Sequence, residues 1–234
     1  MTVICVPSSM RWWTNWMSEP DTASGITPMF PLQTALLPGE ELPLRVFEPR
    51  YAALVRDCLA GGDRRFGVVL IARGREVGGG DERHDVGVMV RIAAHDDLGN
   101  GRYRLNCPGL HRIRVVRWLP DQPYPRAVTR DWPDEPELPD VGEITRVEDD
   151  IWGLFEFVAA ARGSRLPGRA AVLGDLPADA GARLYALAAR LPIGPADRYA
   201  LLAAPGPVQR LAALREAVET VSAMTRFQLS GDDR

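Results

Sequence analysis

The chain has 234 residues, 46% of them hydrophobic, and a formal net charge of -3. That is apolar material for one or two domains, and the slight acidity gives no global attraction to nucleic acid or an anionic membrane. All 28 of its lysine-plus-arginine residues are arginine, which excludes chemistry that depends on lysine, including a Walker A loop, a Schiff base, a Ser-Lys dyad or a kinase-type site.

In chain order, Val3 to Val6 is too short for the apolar part of a signal peptide, and Pro7 follows it. No run approaches the roughly 18 apolar residues of a membrane span. The stretch RWWTNWM, Arg11 to Met17, is read as part of a disordered tail ahead of a start at Met17 or Met29, with an interfacial anchor or partner-docking motif as the alternative. Leu36 to Gly39 is a turn, and Leu42 to Phe47 a short strand that Pro43 places at a sheet edge. A helix follows, opened by Pro49 and stopped at Gly61-Gly62, with Tyr51, Leu54, Val55, Cys58 and Leu59 forming one apolar stripe.

The continuous run Phe66 to Ile71 predicts a buried strand. Gly78-Gly79-Gly80 opens a flexible charged loop; with no G-x-G-x-x-G and no lysine it is not a phosphate cradle. Val86, Val88, Val90 and Ile92 alternate as a half-buried strand. Tyr103 to Cys107 and Arg112 to Val115 alternate as a hairpin or meander around Pro108-Gly109. Strands with one early helix suggest an α+β fold, a small twisted barrel or closed sheet with that helix as its plug. After the Pro- and acid-rich DWPDEPELPD, helical stripes recur at Ile144 to Val158, Leu184 to Leu191 and Leu211 to Val221, with a shorter helix over Pro195 to Ala204. The expected organisation is a tail over 1–26, a β-domain over 27–132, a linker over 133–140, a helical bundle over 141–228 and a tail over 229–234.

Chemistry-bearing residues are sparse. Cys5, Cys58 and Cys107 are too far apart for a metal or redox motif and read as reduced thiols of a cytoplasmic protein. His84, His95 and His111 stand near acids but lack metal-ligand spacing, and no serine sits in a G-x-S-x-G elbow. Glu40-Glu41 is read as a solvated turn. Arg102, Arg104, Arg112, Arg114 and Arg117 could form a basic ladder for phosphates, or the wet face of a half-buried sheet.

The stretch MFPLQTALLPGEELPLRVFEPRYAALV carries Phe30-Pro31-Leu32, Pro38-Gly39, Pro43-Leu44 and Phe47-Glu48-Pro49-Arg50-Tyr51. It resembles the N-terminal, substrate-binding domain of the Lon protease family in its small stand-alone form, over about Thr27 to Phe227. The resemblance implies a PUA-like β-barrel followed by a helical bundle, and a role in binding peptides or unfolded chains. The ATPase and Ser-Lys peptidase of full-length Lon proteases are not expected here. The signature residues are read as core or turn. The expected function is a non-enzymatic recognition module, without metal, cofactor or membrane, that binds exposed hydrophobic segments or a protein partner, with service as a protease adaptor among its expected roles. Trp118 and Trp132 are its candidate contacts, against ordinary packing of barrel on bundle. The alternative is RNA binding through the strand arginines.

Overall fold

The computed structural model describes residues 25–74 and 82–231. The tryptophan-rich Arg11–Met17 stretch, Cys5 and the Gly78–Gly80 loop lie outside them. Seven strands come first, β1 (Gly25–Leu32), β2 (Glu41–Val46), β3 (Arg65–Arg73), β4 (Glu82–Arg91), β5 (Ala94–Asp97), β6 (Tyr103–Leu119) and β7 (Arg126–Asp131), interrupted by helix α1 (Pro49–Ala60). Five helices follow: α2 (Val141–Ala161), α3 (Arg169–Leu173), α4 (Ala180–Ala188), α5 (Pro195–Ala203) and α6 (Pro207–Gly231).

The strands form one mixed sheet in the order β2-β6-β4-β3-β1-β7, and β7 pairs back onto β6. The path β6-β4-β3-β1-β7-β6 therefore closes on itself, with only β1 and β3 parallel. Inside this ring Met29, Val69, Ile113, Val115 and Ala127 make a small core. The ring is narrow: a Cβ at Gly67 would stand 2.6 Å from Met29 Sδ, and one at Gly87 2.2 Å from the Val68 carbonyl oxygen. Alternate residues of the same strands, Phe30, Phe66, Val68 and Val88, face the other way into a larger core. There α1 buries Tyr51, Leu54, Val55 and Cys58, each large apolar side chain contributing roughly 1.5–3 kcal/mol.

One local reading is corrected. The hairpin expected around Pro108-Gly109 is absent, because β6 runs unbroken through both residues. Its first half pairs with β2 and β5, its second with β4 and β7. Gly109 sits where the strand changes partners, and a Cβ there would stand 3.0 Å from the Leu37 carbonyl oxygen. Helix α6 continues to Gly231. Pro43 does lie on a terminal strand, β2.

The helices pack through Ile144, Val147, Ile151, Leu184, Leu187, Leu201, Leu214 and Val218, which join the larger core. Asp140 and Asp179 cap α2 and α4 by accepting from the backbone N–H of Glu143 and Ala182. Among the described residues no helix is long and apolar enough to cross a membrane.

Candidate functional site

The segment after β7, read as a linker, is pinned between sheet and helices. Asp134 accepts hydrogen bonds from Arg112 of β6 at 2.6 Å and from both terminal nitrogens of Arg210 of α6, at 2.7 and 2.5 Å. Both guanidiniums are buried, at 4% and 0% residue exposure. Arg112 also donates to the carbonyls of Leu202, Ala204 and Pro205 at the end of α5. Burial pushes its pKa below the ordinary guanidinium value, chiefly by desolvation. Two further contacts tie the units: Arg198 of α5 donates to the Ala35 carbonyl and the Glu40 carboxylate, and His84 stacks on Tyr199 with ring centroids 3.9 Å apart. Glu40 is thus no solvated residue. The same carboxylate accepts from the Leu37 N–H at 2.8 Å and closes the turn that Gly39 shapes at φ +86°.

Beside these pins lies a cleft of about 1070 Å³. It is lined by the Pro38–Glu41 turn, Gly109 to Arg112 of β6 and Asp131 to Asp134, together with Asp175, Pro177, Tyr185 and Ala186 of α4, and Ala189 and Arg190 just past its end. Trp132 borders it with the guanidiniums of Arg112 and Arg114 each 4.1 Å from its ring centroid. Tyr185 forms part of the lining with Arg210 over its ring at 3.9 Å. Burial pushes the Tyr185 hydroxyl up to about 12, so it is a donor at neutral pH, and it has no hydrogen-bond partner among the described residues.

The two candidate tryptophans are not brought together. Trp118 packs on the small ring core, donates to Asp85 at 3.3 Å and lies under Arg83; it does not border the cleft. Nor do the five arginines form one exposed ladder. Arg112 is buried, Arg114 stacks on Trp132, Arg104 faces Asp96, and a register shift separates Arg117 from Val115. His111 pairs with Asp131 at 3.0 Å at the cleft edge, and His95 is exposed on β5.

The signature residues divide. Phe30, Leu32, Leu44 and Tyr51 are buried, with Phe30 stacked on Tyr51 at 4.1 Å. Pro31 pairs with Val69, Pro49 opens α1, and Glu48 holds Arg50 at 3.1 Å. Phe47 is 63% exposed beside a pocket of about 190 Å³. Missed in the sequence were Asp134, Arg210 and Tyr185. Arg210 carried a signal: a charge at i relative to Leu214, Ala217 and Val221, on the apolar stripe of α6.

Comparison with known proteins agrees with this architecture. Residues 26–220 match the family described as the ATP-dependent protease La (LON) substrate-binding domain. The chain is 33% identical over 104 residues to Lon protease 2 of Myxococcus xanthus and 30% identical over 104 residues to the Lon protease of Anaeromyxobacter dehalogenans (strain 2CP-C). Each alignment covers 44% of this chain but 12% of the relative, so the chain corresponds to a small part of those proteases. The crystal structure of a Lon N-terminal domain protein from Xanthomonas campestris superposes with TM-score 0.60 at 28% identity, over 82% of this chain and 98% of that one. The N-terminal domain of the Mycobacterium avium complex Lon protease shares the fold, with TM-score 0.55 at 17% identity over 83% and 98%. The chain belongs to the Lon substrate-binding domain family.

Proposed function

We propose that this protein is a non-enzymatic recognition module that holds an exposed apolar segment of another polypeptide in the cleft beside Trp132. The observation that carries this reading is the cleft itself: it is large enough for several residues of extended chain, and an aromatic anchor borders it. Its walls come from two units fixed by buried ion pairs, so the groove is preorganised and little ordering free energy is lost on docking. Trp118 is set aside as a contact because it packs on the ring core.

Addition of a strand at the β2 edge is disfavoured. Pro43 pairs opposite Asn106, whose carbonyl accepts from Ala93 next to β5. The parity of the ladder turns the nitrogen of Pro43 toward the open edge, where it has no hydrogen to donate.

A PUA-like barrel with α1 as plug, a β-domain and helical bundle as separate domains, a cytoplasmic setting and an adaptor role beside a protease belong to the same proposal. The closed strand circuit supports the barrel, whereas α1 packs in the larger core outside the ring and gives the plug no support. RNA binding is the weaker reading, because Arg112 is committed to internal partners. The test is a titration with a chemically denatured polypeptide, its native form and a short RNA. Saturable binding to the unfolded chain alone is expected; binding to RNA alone would replace this reading.

A further inference from the structure

Three tryptophans and a methionine fall within RWWTNWM, Arg11 to Met17. Such a density of large apolar side chains is costly to leave in water, and indoles are among the side chains most enriched at binding hot spots. Strand β1 begins at Gly25, opposite Thr129 of β7, and the two strands are antiparallel. Traced backward, β1 therefore points along β7 toward Asp131 and Trp132, which border the cleft. Thr129 to Asp131 is only about 7 Å of strand. Trp16 is nine residues ahead of Gly25, and nine residues reach at most about 30 Å, so the tether is long enough. Its composition is that of a connector: Ser18 to Ser24 holds Glu19, Pro20 and Asp21 and no large apolar side chain.

The cleft suits side chains of this kind. Leu110, Trp132, Pro133, Pro177, Ala186 and Ala189 line it, and its volume of about 1070 Å³ is at the upper end for a ligand pocket, with room for more than one indole. Its border carries both signs of charge, from Glu41 and Asp175 as well as Arg112 and Arg190. Aromatic content, rather than net charge, makes the match. Arg190 is exposed, its guanidinium lies against Gly174, and no hydrogen bond or ion pair engages that guanidinium among the described residues. It can lie over an incoming indole, as Arg83 does over Trp118 and Arg112 and Arg114 do over Trp132.

We infer that the Arg11–Met17 segment is the cleft's own ligand: it folds back to seat its tryptophans beside Trp132, and an outside polypeptide must displace it. This rests on the reading of the cleft as a segment-binding site. A short flexible tether holds its ligand at an effective concentration of about 1 mM. A segment with an intrinsic dissociation constant of about 0.1 mM then weakens an outside competitor about ten-fold, because only the emptied fraction of the protein can bind it.

The test places a photoreactive group at position 189 of the full chain and maps its cross-links by mass spectrometry, in an equal mixture of isotopically light and heavy protein. A link from 189 to residues 11–17 of the same chain is expected, with a yield independent of protein concentration. Links between light and heavy chains that grow with concentration would make a second copy the occupant and overturn the inference. The triple variant Trp12→Ala, Trp13→Ala, Trp16→Ala should lose the internal link and bind a chemically denatured polypeptide about ten-fold more tightly. If the polypeptide cross-links at 189 but residues 11–17 do not, and the triple variant leaves affinity unchanged, self-occupation falls and the cleft reading stands. If neither cross-links at 189, both fall.

Discussion

Arg210 meets Asp134 through two hydrogen bonds, from Nη1 at 2.7 Å and Nη2 at 2.5 Å, with the guanidinium wholly buried and the carboxylate side chain 30% exposed. This pair, shared with Arg112, joins the strand ring to the helices across a segment whose composition reads as a loose connector. It also positions Trp132, two residues before Asp134, at the mouth of the cleft.

Asp134→Asn is expected to destabilise the protein by about 2–4 kcal/mol. Removing one partner of a buried pair leaves charge uncompensated, and the partial exposure of Asp134 lowers the figure within that range. Urea unfolding checks it. A loss below about 0.5 kcal/mol, the scatter of ordinary surface changes, would show that the triad does not hold the two units together.

The Glu40–Arg198 pair links residues 158 apart in sequence, both side chains mostly buried. A double-mutant cycle with Glu40→Gln and Arg198→Gln should give a coupling of about 1–2 kcal/mol. Additive losses would place the pair among contacts of no energetic consequence.

Gly67 and Gly87 should respond differently to alanine. At Gly67 the new methyl meets the flexible end of Met29, whereas at Gly87 it meets the Val68 backbone. Gly87→Ala should therefore cost more than Gly67→Ala, which falls near about 1–3 kcal/mol. Met29→Ala should relieve part of the Gly67→Ala strain, and thermal unfolding of the double variant checks it.

Cys58 and Cys107 are buried, and burial pushes both thiols from 9.0 up to about 12. The unfolded chain releases these protons first. The stability they contribute is full below about pH 9 and is lost progressively as the pH rises toward 12. Unfolding free energy measured from pH 8 to 11 should fall, and alkylation of the native thiols at pH 8 should be slow. Rapid alkylation of the folded protein would contradict their burial.

The periodic elements were legible because each is encoded locally. Ile144, Val147, Ile151 and Leu154 of α2 and Leu211, Leu214, Val218 and Val221 of α6 are buried where a 3.6-residue stripe places them. Elements whose pattern is broken were not. β1 contains Pro28 and Pro31, yet it pairs with β7 through its first half and β3 through its second, so neither proline faces two ladders. Arg112 was assigned by alternation to a wet sheet face, but the helices cover that face and the guanidinium reaches the carbonyls of Leu202 and Ala204. The cleft was hidden for the same reason: its walls come from segments far apart in the chain, and nothing local joins Glu41 to Asp175. Of the two tryptophans, only Trp132 borders it.

The most direct test of the central claim is site-specific photocross-linking to an unfolded polypeptide, with the photoreactive group placed at Ala189 in the cleft or at exposed Val116 on β6. The account predicts a saturable cross-link from position 189 that is lost in Trp132→Ala, and none from position 116. Cross-linking from 116 with none from 189 would place the binding surface elsewhere on the molecule and contradict the account.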